Sequence, residues 1–456
     1  MNWKFWTLVC VCLATLVPAL AQTDDELNAK VKALSELNHK IAADPDLLPR
    51  ANAGDATAQV LVGSLYKIGM GFPRDFAKAA YWYSKAASQG DAEGEFELGF
   101  LYDEGNGVPK DSVKAASWYR KAAEHGYARA QLFLGESYAH GEGVPKNNVQ
   151  AAIWIRKAAE QNDAGGQFDL GLMYERGQGV PKDSTQAVAW YLKAAAQGRV
   201  DAEIALAQLF YFGQGLPQDY EQAAIWYQKA AAQGDVGSQL KLGFMYEDGH
   251  GVSQDEIQAT VWFRKAAEQN DAGAEYWLGW RLEQGEGVPQ DYSQAALWYR
   301  KAADQGDAHA QYALGNLYDQ GQGVAKDHGQ AVFWYRKVAE QGDSGGQFSL
   351  GICYELGLGV PQDYSQAATW YQKAAEQGFA YAQNRLGLLY SDGKGVPQSY
   401  VDAYFWLNLA AAGSKGADQE ETATARDAAA IKLTPIELSK VQKRAAAWFA
   451  AHPQKP

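Results

Sequence analysis

Residues 91–126 read DAEGEFELGFLYDEGNGVPKDSVKAASWYRKAAEHG, and the reading of this stretch decides the fold. Ala92, Phe96, Gly99 and Tyr102 fall on one face of an α-helix, and Leu98 adds a second apolar row. The glycines of Gly105-Asn106-Gly107 end that helix. Asp111 supplies an N-cap for a second helix, whose buried stripe is Ala115, Trp118, Tyr119 and Ala122 and which stops at Gly126. A single pair of short helices has no core of its own, so each stripe must be covered by a neighbouring pair.

The neighbours are present in the sequence. Gly69 and Gly71 recur as Gly105 and Gly107, and so on to Gly393 and Gly395, always 36 residues further on. Tryptophan keeps the same interval from Trp82 to Trp406, so ten units fill residues 55–414. An Asp, Asn or Ser stands at the second N-cap of every unit. The second helix ends at Gly in most units and at Asn162 and Asn270 in two, the residue types that best adopt the left-handed C-cap conformation. Gly99 and its equivalents predict a close approach of the two helices, and Ala207 is the one departure from glycine there.

The pattern L-G-x-x-Y, G-x-G-V-P-x-D and A-x-x-W-Y-x-K-A-A, carried by Leu98 to Tyr102 and Gly105 to Ala123, resembles the Sel1-like repeat, a relative of the tetratricopeptide repeat. The resemblance implies an all-α fold, a right-handed α-α superhelical solenoid of antiparallel helix pairs. It also implies adaptor functions such as assembling protein complexes, with no conserved chemistry and no cofactor.

Outside the repeats, the chain opens with Lys4, an apolar run from Phe5 to Val17 and the small residues Ala19 and Ala21, which predicts a cleaved secretory signal over 1–21. The run is shorter than the ~20 residues a membrane-spanning helix needs. Cys10 and Cys12 lie inside it, where they cannot serve as a lipid-anchor cysteine. Residues 22–54 form an N-terminal capping region, helical over 24–52, and 415–456 hold two closing helices, over 417–432 and 434–450, with a tail expected to fray. Thr434, Pro435 and Glu437 supply an N-cap, a first-turn proline and a capping-box acid. Ile436, Val441, Ala445 and Trp448 are then expected to share one apolar face.

Loss of 1–21 leaves Cys353 as the only cysteine and no internal disulfide. The formal charge of the whole chain is -13, and removing Lys4 with no acid gives -14. That sign argues against a nucleic-acid partner, because phosphate binding rests on lysine and arginine. It suits a soluble protein with neutral or basic partners, and the signal implies export, periplasmic or secreted, with no stable membrane insertion after cleavage.

Residues 342–347 read GDSGGQ, a stretch that in a chymotrypsin-like protease would carry the nucleophile. Ser344 stands where other units carry Ala92, Ala128, Val200 or Ala380, which makes Gly342 a helix terminator, Asp343 an N-cap and Ser344 a first-turn residue. No general base accompanies it. The G-x-G loops lack the third glycine and preceding strand of a phosphate-binding loop, and the seven histidines show no zinc-ligand spacing. Acids recur at Asp103, Glu175, Glu247, Glu283, Asp319 and Glu355, read here as a solvated face with lysine neighbours and, alternatively, as an acidic ligand stripe. A Gln or Glu stands at position 95 and its equivalents in all ten units, including Gln59, Gln131, Glu203 and Gln347, and predicts a hydrogen bond to a neighbouring loop.

Departures from the repeat mark the candidate site. Trp277 and Trp280 lie off the periodic tryptophan position, at places held elsewhere by Glu97, Phe133, Asp169 and Lys241, or by Ser64, Glu136, Gln208 and Asn316. With Tyr276 and Arg281 they have the composition of a partner-binding hot spot. The competing reading is local repacking, with Tyr276 in an apolar row and Leu282 in place of the usual tyrosine. Phe244 and Ile352 share the repeat position of Trp280, and Phe133 that of Trp277, so these are expected to extend the patch. The reading is therefore a scaffold that binds a protein or peptide along its first helices. The alternative is a cell-envelope enzyme acting on peptidoglycan fragments or β-lactams, as a resemblance to cysteine-rich Sel1-like proteins suggests. Those have disulfide-linked helix pairs, which this chain lacks, and no nucleophile and base converge or recur.

Overall fold

A computed structural model describes residues 44–452. The predicted signal, the part of the expected 24–52 helix before residue 44 and the last four residues lie outside the described residues, and within the described part only Leu47–Asn52 is helical. The described residues form 23 helices and no strand.

Each repeat is a helix pair joined by a glycine turn. In the second repeat the helices are Ala92–Glu104 and Ser112–Glu124. All ten second helices start at an Asp, Asn or Ser whose side chain accepts a backbone N–H of the first turn, as Asp111 does from Lys114 at 2.9 Å. Such a cap stabilises by ~1 kcal/mol. Asn162 and Asn270 adopt φ of 66° and 64°, the only non-glycine residues with positive φ among those described.

Two glycine positions set the packing. A Cβ on Gly99 would lie 2.9 Å from the Tyr119 ring, and one on Gly171 would lie 2.6 Å from Tyr191, so glycine lets these paired helices close on the tyrosine, and in the fifth repeat Ala207 stands there with Tyr227 still buried. A Cβ on the loop residue Gly107 would lie 2.2 Å from the backbone of Phe76, so the turn of one repeat rests on the start of the preceding repeat's second helix. The core between the helices is alanine, leucine and tyrosine. Ala115, Ala122, Tyr119 and Leu134 are buried, and burial of a leucine side chain stabilises by roughly 2 kcal/mol. Trp118, expected in the same stripe, is half-buried, with the Lys121 ammonium 3.9 Å from its ring centroid.

The chain divides into two compact units, one ending at Gln254 and one beginning at Asp255, inside the sixth repeat. Within each unit every first helix packs on its own second helix, and that second helix on the next first helix, as in a solenoid. In the first unit Leu47–Asn52 packs on the first repeat, burying Leu47 and Ala51 against Val62, Leu65 and Trp82. In the second unit Gly416–Ala430 and Pro435–Ala451 follow the last repeat. Thr434 and Glu437 form the capping box at Pro435. Val441 and Ala445 are buried and Trp448 half-buried, but Ile436 is 69 % exposed. The helix starts at Pro435, which leaves Ile436 in its first turn on the solvent side, and Leu438 and Phe449 complete the apolar face instead.

Candidate partner-binding site

The helix Ala272–Gln284 begins at Asp271, whose carboxylate accepts the Ala274 N–H at 2.8 Å, and ends at Gly285. Its buried face is Ala274, Glu275, Leu278, Gly279, Arg281 and Leu282. Tyr276, Trp277 and Trp280 are half-buried beside that face. The two indoles meet edge to face, with ring centroids 5.8 Å apart at 78°. Tyr276 packs against Trp277 at 5.4 Å, against Tyr299 at 5.8 Å and against the exposed His309 of the next repeat at 5.5 Å. Burial raises the Tyr276 hydroxyl pKa above its ordinary value. The structure thus gathers one aromatic cluster from two adjacent first helices.

Arg281 is not part of the accessible cluster. It is fully buried, its guanidinium 5.3 Å from the Phe263 ring centroid and 3.7 Å from the Glu286 carboxylate. It stands where other repeats bury Leu65, Leu101, Met173, Leu209 or Leu317, which is why it points inward. Its place in the repeat was legible in the sequence, since nine units put an uncharged residue there. His309 could not be anticipated, because its ring reaches the site from the following repeat. Ile352 is half-buried two repeats further on, in the same unit, against the core that holds Tyr371 and Leu386. Phe133 and Phe244 are half-buried and belong to the unit that ends at Gln254. Phe133 packs on Phe96 at 5.3 Å and Tyr119 at 5.4 Å, so it serves the joint between the second and third repeats.

The recurring polar residues are structural. Gln131 donates to the Ala123 carbonyl at 3.1 Å and accepts from Gln161 at 2.8 Å, and Gln311 repeats this with Ala303 and Gln341 at 3.0 and 2.9 Å. Each such glutamine ties the end of the preceding second helix to the end of its own. Of the six recurring acids, three are tied to the paired helix and Asp319 is bound to His328. Glu175, Glu283 and Glu355 accept the hydroxyls of Tyr191, Tyr299 and Tyr371 at 2.6, 2.5 and 2.5 Å. Their carboxylates sit close enough to the paired helix to take the one polar atom of its core tyrosine. Burial first, then the acceptor carboxylate, keeps those tyrosines protonated far above their ordinary pKa.

Ser344 opens the helix Ser344–Leu356, with Asp343 accepting the Gly346 N–H at 2.7 Å. His328 is bound through Nδ1 to Asp319 at 2.7 Å. Cys353 is buried, which pushes its thiol pKa up to about 12. Among the described residues no three His, Cys, Asp or Glu side chains are placed to hold a metal ion.

These helix pairs match the Sel1 repeat family in ten consecutive copies, over residues 56–91, 92–127, 128–163, 164–198, 200–235, 236–271, 272–307, 308–343, 344–379 and 380–414. The chain is a Sel1-repeat protein. Among solved structures, this Sel1-repeat protein is similar to c5321, a protective antigen present in uropathogenic Escherichia coli strains. The two are 36% identical over 89% of this chain and 94% of that one, with a TM-score of 0.59. It is also similar to a Sel1 repeat protein from Oxalobacter formigenes, at 37% identity over 68% of this chain and 89% of that one, with a TM-score of 0.54. No curated protein matches the chain. Sel1-repeat proteins generally mediate protein–protein interaction. No helix among the described residues is long and apolar enough to cross a membrane.

Proposed function

We propose that this Sel1-repeat protein is an exported, non-catalytic scaffold that binds a protein partner on its first helices, with Tyr276, Trp277 and Trp280 as anchors. The observation that carries the reading is the half-buried cluster of those three rings with His309. Large rigid aromatics bring contact area at low cost in conformational entropy, and they dominate interface energetics. The repeated tryptophans are used differently, since Trp298, Trp262 and Trp370 each lie under a lysine ammonium at 3.9, 4.0 and 3.9 Å. Ile352 lies on the same set of first helices and extends the surface in the second unit. Export rests on the apolar run and small residues before Gln22.

Capture from a cell-envelope extract, comparing the wild-type chain with the Trp277→Ala, Trp280→Ala variant, tests the reading. A band that the wild type retains and the variant loses is expected, and equal retention by both would remove the anchors. Fractionation tests export separately, since the mature chain should begin near Gln22 and leave the cytoplasm.

A further inference from the structure

The repeat position of Phe96 carries an aromatic again as Phe168, Tyr276, Tyr312 and Phe348, and the start of the next first helix covers four of these five rings. Arg129 sets its guanidinium 4.9 Å from the Phe96 ring centroid, and Arg199 does the same at 5.0 Å from Phe168. His309 packs on Tyr276 at 5.5 Å and Tyr381 on Phe348 at 6.2 Å. Tyr312 is the exception, because Gly345 stands at the repeat position of Arg129, His309 and Tyr381. A Cβ on Gly345 would lie 3.2 Å from the Asp343 carboxylate and 3.9 Å from the Tyr312 ring, so a group held there touches both. Among the described residues the half-buried Tyr312 meets one other ring, Tyr335 of its paired helix, at 5.8 Å. The surroundings are acidic. The first helices Ala272–Gln284, Ala308–Gln320 and Ser344–Leu356, with their caps, carry seven acids and one Lys or Arg, the buried Arg281. Asp343 accepts the Gly346 N–H through Oδ1, and no ion pair among the described residues of this unit uses it.

We propose that the gap at Gly345, between the Tyr312 ring and the Asp343 carboxylate, binds an arginine side chain of the partner. The inference rests on the reading that the first-helix face binds a partner, and it names that partner's chemistry as a basic segment. The chain itself supplies the pattern. Where Arg129 covers Phe96 a guanidinium lies over the ring at this repeat position, and where Arg199 covers Phe168 the same guanidinium also meets the Asp201 carboxylate at 3.1 Å. A planar guanidinium suits both contacts at once, since it stacks on an aromatic face and pairs with a carboxylate. An exposed ion pair alone contributes little, so the ring is what makes the gap selective. A cation arriving on this face also finds the opposite charge that its own desolvation requires, and the acids around it draw a basic segment in.

The probe is a fluorescein-labelled peptide of three Gly-Ser-Arg units, titrated with the full chain by fluorescence anisotropy in about 0.15 M salt, where distant surface charges are screened. Beside it runs the same peptide with citrulline, uncharged and of the same shape, in place of arginine. Three variants accompany them. Gly345→Arg fills the gap as Arg129 fills its own, so the fold accepts the residue. Tyr312→Leu removes the ring at a position that Leu132 and Leu240 hold in other repeats. Gly237→Arg makes the same charge change at the equivalent position of the first unit, where Ile204 stands in place of the tyrosine. The expected result is saturable binding of the arginine peptide, at least about tenfold tighter than the citrulline peptide. It should fall about tenfold or more in Gly345→Arg and about threefold or more in Tyr312→Leu, and stay within about twofold in Gly237→Arg, at unchanged circular dichroism. Equal binding of the two peptides, no binding of either, full binding by Gly345→Arg, or equal losses in Gly345→Arg and Gly237→Arg would overturn the proposal. If the Trp277→Ala, Trp280→Ala variant loses its envelope partner while the two peptides bind alike, the anchors stand and the arginine assignment falls.

Discussion

Gln305 donates from Nε2 to the Glu275 carboxylate at 2.7 Å, in the place where Gln341 donates to Gln311 at 2.9 Å. Gln311 passes the bond on to the Ala303 carbonyl at 3.0 Å. Glu275 cannot do so while ionised. Its residue is 1 % exposed, and its Oε1 has no hydrogen-bond partner among the described residues. Burial raises its pKa, opposed by Gln305 and by the Lys301 charge and reinforced by Asp271, and burial likewise raises that of Glu203 in the first unit.

A carboxyl whose pKa is higher in the folded chain than in the unfolded one favours folding when protonated, and that contribution is lost as pH rises through the folded value. Glu275→Gln, which restores the donor at every pH, should therefore stabilise the chain by about 1 kcal/mol above that value and by little below it. Denaturant midpoints of variant and wild type measured in steps across the acid and neutral pH range check this. A variant whose advantage over wild type does not grow as pH rises contradicts it.

Gly171→Ala places a Cβ 2.6 Å from the Tyr191 ring and should cost ~1–3 kcal/mol. Gly237→Ala meets only Asp235, at 3.5 Å, and should be neutral or stabilising by up to ~1 kcal/mol, because alanine narrows the unfolded ensemble. Thermal melts of the two variants should move in opposite directions, or at least differ clearly.

Cutting the chain after residue 414 uncovers Phe405, Trp406 and Leu409, all buried beside Val441 and Ala445. Arg444 also leaves, with its ion pair to Asp402 at 2.7 Å and its stacking on Phe405 at 3.8 Å. The truncated chain should melt lower, bind a hydrophobic dye and aggregate. A truncation that stays monomeric with an unchanged melt shows that the closing helices are not caps.

Ser344→Ala should fold and bind as the wild type does, because Ser344 opens a helix at a position otherwise held by small apolar residues. Labelling of Ser344 by a fluorophosphonate probe would reverse that assignment.

The fold was legible because each repeat states its own turns. Asp111, Gly107 and Gly99 act within a few residues or at a fixed offset, so their meaning survives ten repetitions. The acids were less legible. The hydroxyl partner of Glu283, Tyr299, comes from the paired helix, and charge pattern alone cannot show a neutral donor. Arg281 was misplaced for a related reason. Its neighbours Trp277 and Trp280 suggested an accessible face, whereas its repeat position is that of Leu101 and Leu317, and position decided. Ile436 failed in the opposite way, since an apolar residue in a first turn after Pro435 still faces water.

The central claim is that Trp277 and Trp280 serve binding more than folding. The direct measurement is a paired one, partner affinity and melting temperature of the Trp277→Ala, Trp280→Ala variant against wild type, using the partner that the wild-type chain captures. Because the rings are half-buried, the account predicts a stability loss within about 1 kcal/mol and a binding loss of ~2 kcal/mol or more, about thirtyfold. A large fall in melting temperature with affinity preserved would show that the two indoles are core, and the site would be lost.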